Sequence, residues 1–129
     1  LEIKDEASAD FAGGSLQLTT ISDDGSHSLA GTVFADGELR ITSIDEFPVN
    51  VSPSRYMLFT RHRDMPGIIG QLGSLLGLHN VNIASMQVGR RIVRGEAVMV
   101  LSIDDPIPSK LLDSILEIEG INQAHPITL

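Results

Sequence analysis

The chain contains no cysteine. That excludes a disulfide scaffold, a thiol nucleophile and a cysteine-based zinc site, and it is compatible with a reducing, cytoplasmic compartment. No apolar run approaches the roughly 20 residues that cross a bilayer, so no membrane partner is expected. No signal peptide is visible. The chain starts at Leu1 rather than Met and reads as a fragment of something longer. Basic residues are scarce where acidic ones abound. Residues 1–53 hold two basic residues, Lys4 and Arg40, against ten acidic ones. Residues 54–129 hold seven of each, so the whole net charge of −8 belongs to the first part. A surface of that sign repels phosphates and argues against nucleic-acid binding. The histidines at 27, 62, 79 and 125 lack metal-ligand spacing. No nucleophile elbow, phosphate loop or pair of catalytic carboxylates appears. A catalytic assignment is therefore empty, as is a metal or a cofactor in this chain.

What is present is a globular composition, 42% apolar. Residues 13–51 are predicted to form short strands joined by turns. Gly14–Ser22 carries Leu16, Leu18 and Ile21, and Asp23-Asp24-Gly25 is a turn signal. His27–Ala35 follows, with Gly31 as a candidate bulge. Asp36-Gly37 is the strongest hairpin signal in the chain. Glu38–Ile44 and Phe47–Val51 complete this part, with Leu39, Ile41 and Ser43 expected on one face. Pro53 ends it. So small a piece is expected to lean on other sequence or another chain.

Residues 54–129 show a clearer rhythm. Tyr56–Arg61 is a predicted strand. Pro66–His79 is a predicted helix with Ile68, Ile69, Leu72, Leu75 and Leu76 on one stripe and Pro66 at the first helical position. Asn82–Gly89 alternates, placing Ala84, Met86 and Val88 together. Gly95–Ile103 is nearly continuous in apolar residues, as a central strand should be. Pro108–Ile118 is a second helix, stopped by Gly120. Ile121–Thr128 is a last strand, where Pro126 suits an edge. The order βαββαβ is a split βαβ unit, α+β and ferredoxin-like, with an antiparallel sheet in the order 4-1-3-2 and both helices on one face. The first and third strands are apolar at both parities, so the second face of the sheet is also expected to be covered.

One constellation stands out: Arg61-His62-Arg63-Asp64-Met65-Pro66-Gly67-Ile68-Ile69-Gly70, then Asn80-Val81-Asn82-Ile83. In such a unit the first strand's end, the first helix's start and the second strand's start are expected as neighbours. Asp64 could cap the helix by accepting from the Gly67 N–H, or face an ammonium group. The helix start offers free N–H groups to a carboxylate, and the Asn82 amide both donates and accepts. Together these residues form a recognition kit for a free amino acid. Gly70, Gly73 and Gly77 share a helix side, and close packing on the sheet or a second helix is the expected reason. Arg90, Arg91 and Arg94 form a solvated hairpin, an anion site or a docking contact. An RNA-recognition module would need aromatics on Gly95–Ile103, which has none.

The string RHRDMPGIIGQLGSLLG…NVNIASMQVGR…GEAVMVLSIDDPIP resembles an ACT domain over residues 54–129. The preceding segment, residues 1–53, resembles the C-terminal portion of the allosteric substrate-binding domain of long-form D-3-phosphoglycerate dehydrogenases. It forms a small, mainly-β partial domain. The iron–sulfur L-serine dehydratase β-subunit is similar too. The resemblance implies a regulatory end of an NAD-dependent oxidoreductase of serine synthesis, with NAD and the catalytic residues in other domains. It implies L-serine, or a similar free amino acid, as effector, and a homodimer or higher homo-oligomer built through ACT edge strands. It implies effector contacts at His62, Asp64, Pro66, Gly67, Ile68 and Ile83, with Asn82 supplied by the neighbouring chain. An assembly module without effector binding would share the same sequence pattern.

Overall fold

A computed structural model describes residues 15–22 and 25–129. The chain divides into two compact units, Leu1–Pro53 and Ser54–Leu129.

In the first unit, β1 (Ser15–Ser22), β2 (Gly25–Val33), β3 (Leu39–Ile44) and β4 (Phe47–Val51) form an antiparallel meander in chain order. The turn expected at Asp23-Asp24-Gly25 falls partly outside the described residues. The bulge expected at Gly31 is present: the β2–β3 register shifts between Ala30 and Gly31. A Cβ there would lie 3.1 Å from the Arg40 carbonyl, so the two backbones approach closely because the side chain is missing. The Asp36-Gly37 turn joins β2 to β3, with Gly37 at φ 86°. Asp45 and Glu46 make the next turn at φ 48° and 68°. Asp45 ties it to β2, accepting from Ser28 N at 2.9 Å while its own N–H donates to Ser28 O at 2.8 Å. Leu39 does not join a buried face. It is exposed, while the β3–β4 register shift between Ile41 and Ser43 breaks the alternation expected to set Ser43 beside Ile41.

The second unit contains β5 (Tyr56–Arg63), α1 (Ile68–Leu78), β6 (Ile83–Arg90), β7 (Glu96–Ile103), α2 (Ser109–Leu116) and β8 (Ile121–Thr128). The sheet order is β6-β7-β5-β8, every pair antiparallel, which is the expected 4-1-3-2. Leu58, Met99 and Leu101 of the sheet meet Ile68, Leu72 and Leu76 of α1 and Leu111 and Ile115 of α2 in one core. Strand alternation sends the neighbouring residues to the other face. Met57, Val98 and Val100 are buried there as well, in keeping with two apolar parities.

Local departures have local causes. Helix α1 opens later than expected. Gly67, at φ 92°, is its N-cap, so Pro66 lies in the turn before the helix. Asn80, at φ 59°, reverses the chain after α1 in the left-handed conformation that asparagine tolerates. On β6 a register shift between Ile83 and Ser85 moves the alternation by one. Ile83 therefore packs against the core with Met86, and Ala84 is exposed.

Candidate functional site

His62 is the next-to-last residue of β5, paired with Ala97 on one side and Ile121 on the other. It is only 2% exposed. Its Nδ1 is buried and has no hydrogen-bond partner among the described residues. An imidazole out of water holds its charge poorly, so burial lowers its pKa, partly opposed by the nearby Asp64 carboxylate.

The chain then leaves the sheet under backbone control. The Arg63 N–H donates to Gly120 O and the Asp64 N–H to Gly95 O, both at 2.8 Å. Gly67 O accepts from Gln71 N at 2.9 Å and starts α1. Gly120, at φ 97°, sits directly on this turn: a Cβ there would lie 2.7 Å from Ile68 Cδ1 and 3.0 Å from Met65 Sδ. Two glycines thus shape the helix start, Gly67 from within and Gly120 from the turn just before β8. The second was expected only as a helix stop.

Asp64 does not cap α1, whose N-cap makes no side-chain hydrogen bond. Its Oδ2 instead accepts from Arg90 Nη1 at 2.8 Å and from the Arg94 N–H at 3.0 Å. The Arg90 guanidinium and the Arg94 amide hold the Asp64 carboxyl below its usual range, against a smaller effect of burial. The β6–β7 hairpin is thereby tied to the β5–α1 turn. Arg90 is a structural partner of Asp64, and Arg94 contributes its backbone from a left-handed φ of 62°. Arg91 is exposed. A concavity of about 480 Å³ opens here, lined by His62, Arg63, Arg94, Gly95, Glu96, Gly120 and Asn122.

Asn82 stands elsewhere. Ile83 pairs with Ile103, which pairs with Tyr56. Arg90 pairs with Ala97, which pairs with His62. Asn82, one residue before Ile83, is therefore at the opposite end of the sheet from Asp64, which lies two residues past His62; the separation is about nine residue steps, or roughly 30 Å. A helix that starts beside Asp64 runs back along the sheet and delivers the next strand to the far end. The expectation that both residues are neighbours within one chain is corrected by that geometry. Asn82 Nδ2 donates to Asp104 Oδ2 at 2.8 Å, and Asp104 N donates to Asn82 O at 3.2 Å. The sequence pattern contained no signal for Asp104 beyond its place before Asp105-Pro106.

The glycine stripe of α1 is corrected too. A Cβ on Gly70, Gly73 or Gly77 would meet nothing within 4 Å among the described residues. No close packing explains them. Gly70 lines an open groove between the helices with Gln71, Ser74, Leu75, Leu78 and Ile118. Among the described residues no group of three or more His, Asp or Glu could hold a metal ion. No helix among them is long and apolar enough to cross a membrane.

The chain is similar to a D-3-phosphoglycerate dehydrogenase of Synechocystis sp., 57% identical over 129 residues. That match covers all of this chain and 23% of the relative. A Methanocaldococcus jannaschii protein of the same name is 32% identical over 127 residues, 98% of this chain and 24% of that protein. A probable L-serine dehydratase β chain of Bacillus subtilis is 28% identical over 109 residues, 84% of this chain and 50% of that protein. The chain thus spans about a quarter of the length of the dehydrogenases. Residues 56–120 match the ACT domain family, and with the βαββαβ order and the β6-β7-β5-β8 sheet this chain belongs to that family.

Proposed function

We propose that this chain is the serine-sensing, dimerising end of an NAD-dependent D-3-phosphoglycerate dehydrogenase, a cytoplasmic enzyme of L-serine synthesis. Its NAD-binding and catalytic residues would lie outside these residues. Similarity to dehydrogenases across the whole chain supports the parent activity. The observation that carries the sensing mechanism is the open outer edge of β6. This strand has no proline and no lysine, and its only charge is Arg90 at one end. Such an edge offers unpaired N–H and C=O groups to another strand. The other edge, β8, carries Pro126, which cannot donate.

Two copies joined antiparallel through β6 reverse the separation described above. The partner's Asn82 then comes to the end where Asp64, His62 and the start of α1 stand. The first-turn N–H groups of α1 have no intrahelical acceptor and suit a carboxylate. Asp64 suits an ammonium, and the partner's Asn82 can serve either group. Serine bound at this seam favours one dimer geometry, and that geometry biases the catalytic domains through differential affinity. A titration of the full-length protein with L-serine by calorimetry tests this. Asp64→Ala and Asn82→Ala are each expected to weaken binding about tenfold or more. Unchanged affinity in both removes the site.

A second reading has its own observation. Asp64 already carries a cation, Arg90, which suits an assembly module that binds no effector. The same titration separates the two, since that module gives no heat with serine.

A further inference from the structure

Arg90 is a cation standing on the carboxylate that an ammonium group would use. Its Nη1 lies 2.8 Å from Asp64 Oδ2. At the other end of β6, Asp104 is held by the Asn82 amide and is exposed. It makes no ion pair with any of the described residues. Each chain therefore has a cation already paired at one end of its open edge strand and an uncompensated carboxylate at the other. A two-fold pairing of β6, centred on Met86 and Gln87, sets Arg90 opposite the partner's Ile83. The partner's Asn82 and the partner's Asp104 are then within reach of an arginine side chain. Charges placed this way attract across the seam, where a cation between two carboxylates is favoured over either pair alone.

We propose that Arg90 bridges its own Asp64 to the partner's Asp104, and that a small zwitterion binds by taking the place of that guanidinium. The role presupposes the serine-sensing dimer proposed above. The ligand's ammonium occupies the position between the two carboxylates. Its carboxylate lies at the free N–H groups of α1. A carboxylate without an ammonium cannot replace the cation and is excluded, so the bridge selects for α-amino acids. The bridge and the effector exclude each other, which makes Arg90 the switch between the empty and the occupied seam.

Two measurements on the full-length protein test this. In Arg90→Ala the competitor is gone and two carboxylates face the ammonium. Calorimetry is expected to show L-serine binding about tenfold tighter. The second pairs Arg90→Cys with Asp104→Cys. Within one chain these positions are roughly 23 Å apart; across the seam they stand two strand spacings apart, about 10 Å, too far for a direct disulfide but within the span of a short bismaleimide. Treatment with that reagent is expected to give a covalent dimer on a denaturing gel, absent from either single-cysteine variant. Weaker or unchanged serine binding by Arg90→Ala, with normal binding by the wild type, overturns the displacement and leaves the sensor standing. No cross-link overturns the bridge. A cross-link in a protein that titrates with none of serine, glycine, alanine or threonine overturns the displacement together with the sensor.

Discussion

Asp64 and His62 are two residues apart and respond to pH for opposite electrostatic reasons. The Asp64 carboxyl lies below its ordinary 3.8 because Arg90 and the Arg94 amide favour its charge. The unfolded chain takes up that proton first as pH falls. The stabilisation is therefore complete above 3.8 and is lost as pH drops through the lower folded value. Urea unfolding in the acid range is expected to show this slope in the wild type and a shallower one in Asp64→Asn. The His62 ring lies below 6.5 because burial disfavours its charge. The unfolded imidazole again binds the proton first, so stability is full above 6.5 and declines beneath it. The ring resonances of His62 are expected to titrate below 6.5 by NMR, and His62→Gln to remove the decline. Gly120 is a third sensitive point. Its positive φ and the contacts awaiting any Cβ make Gly120→Ala costly, by about 1–3 kcal/mol. Thermal unfolding reads that loss, and a neutral result would mean that the Met65–Ile68 turn yields easily. None of these three properties is visible in composition. His62 and Asp64 were legible as a pair beside a proline turn. The Arg90 contact was not, because it joins residues 26 apart in sequence through a hairpin whose closure only the fold supplies.

Among the elements, the sheet was the most legible and the helix faces the least. Alternation and the continuous apolar run of β7 led directly to the strand order, since only a central strand is buried on both faces. The β6 alternation was misplaced by one, because a bulge between Ile83 and Ser85 leaves no mark in the residue types. Glycines at helical spacing suggested close packing, yet Gly70, Gly73 and Gly77 face open space at ordinary negative φ. Backbone entropy then works against α1 without compensation. Alanine at each site is expected to raise stability by about 0.5–1 kcal/mol, read as a higher unfolding midpoint in urea. Destabilisation by these alanines would instead indicate that something covers this face in the full-length protein.

At the scale of the molecule, helix direction decides what one chain can do alone. Crossing α1 carries the chain from the Asp64 end of the sheet to the Asn82 end, so no single copy holds both parts of the recognition kit. The family was readable, and so were the residue types of the proposed site. The distance between them was not, because spacing along a sequence does not say at which end of a sheet a strand begins. In the dimer proposed above, a two-fold seam along β6 would remove that distance and make pairing a condition for sensing.

Mixing two defective proteins tests that claim most directly. Asp64→Ala and Asn82→Ala full-length proteins are each expected to bind L-serine poorly, since every seam site in either homodimer lacks one group. In a mixed dimer one site has neither group and the other has both. Equal mixing with subunit exchange should therefore restore about one site in four of the wild-type number, by simple combination of two-fold partners. Calorimetry counts those sites. Recovery of that fraction at wild-type affinity is the result expected here. No recovery after verified exchange would mean that the site does not draw Asp64 and Asn82 from different chains.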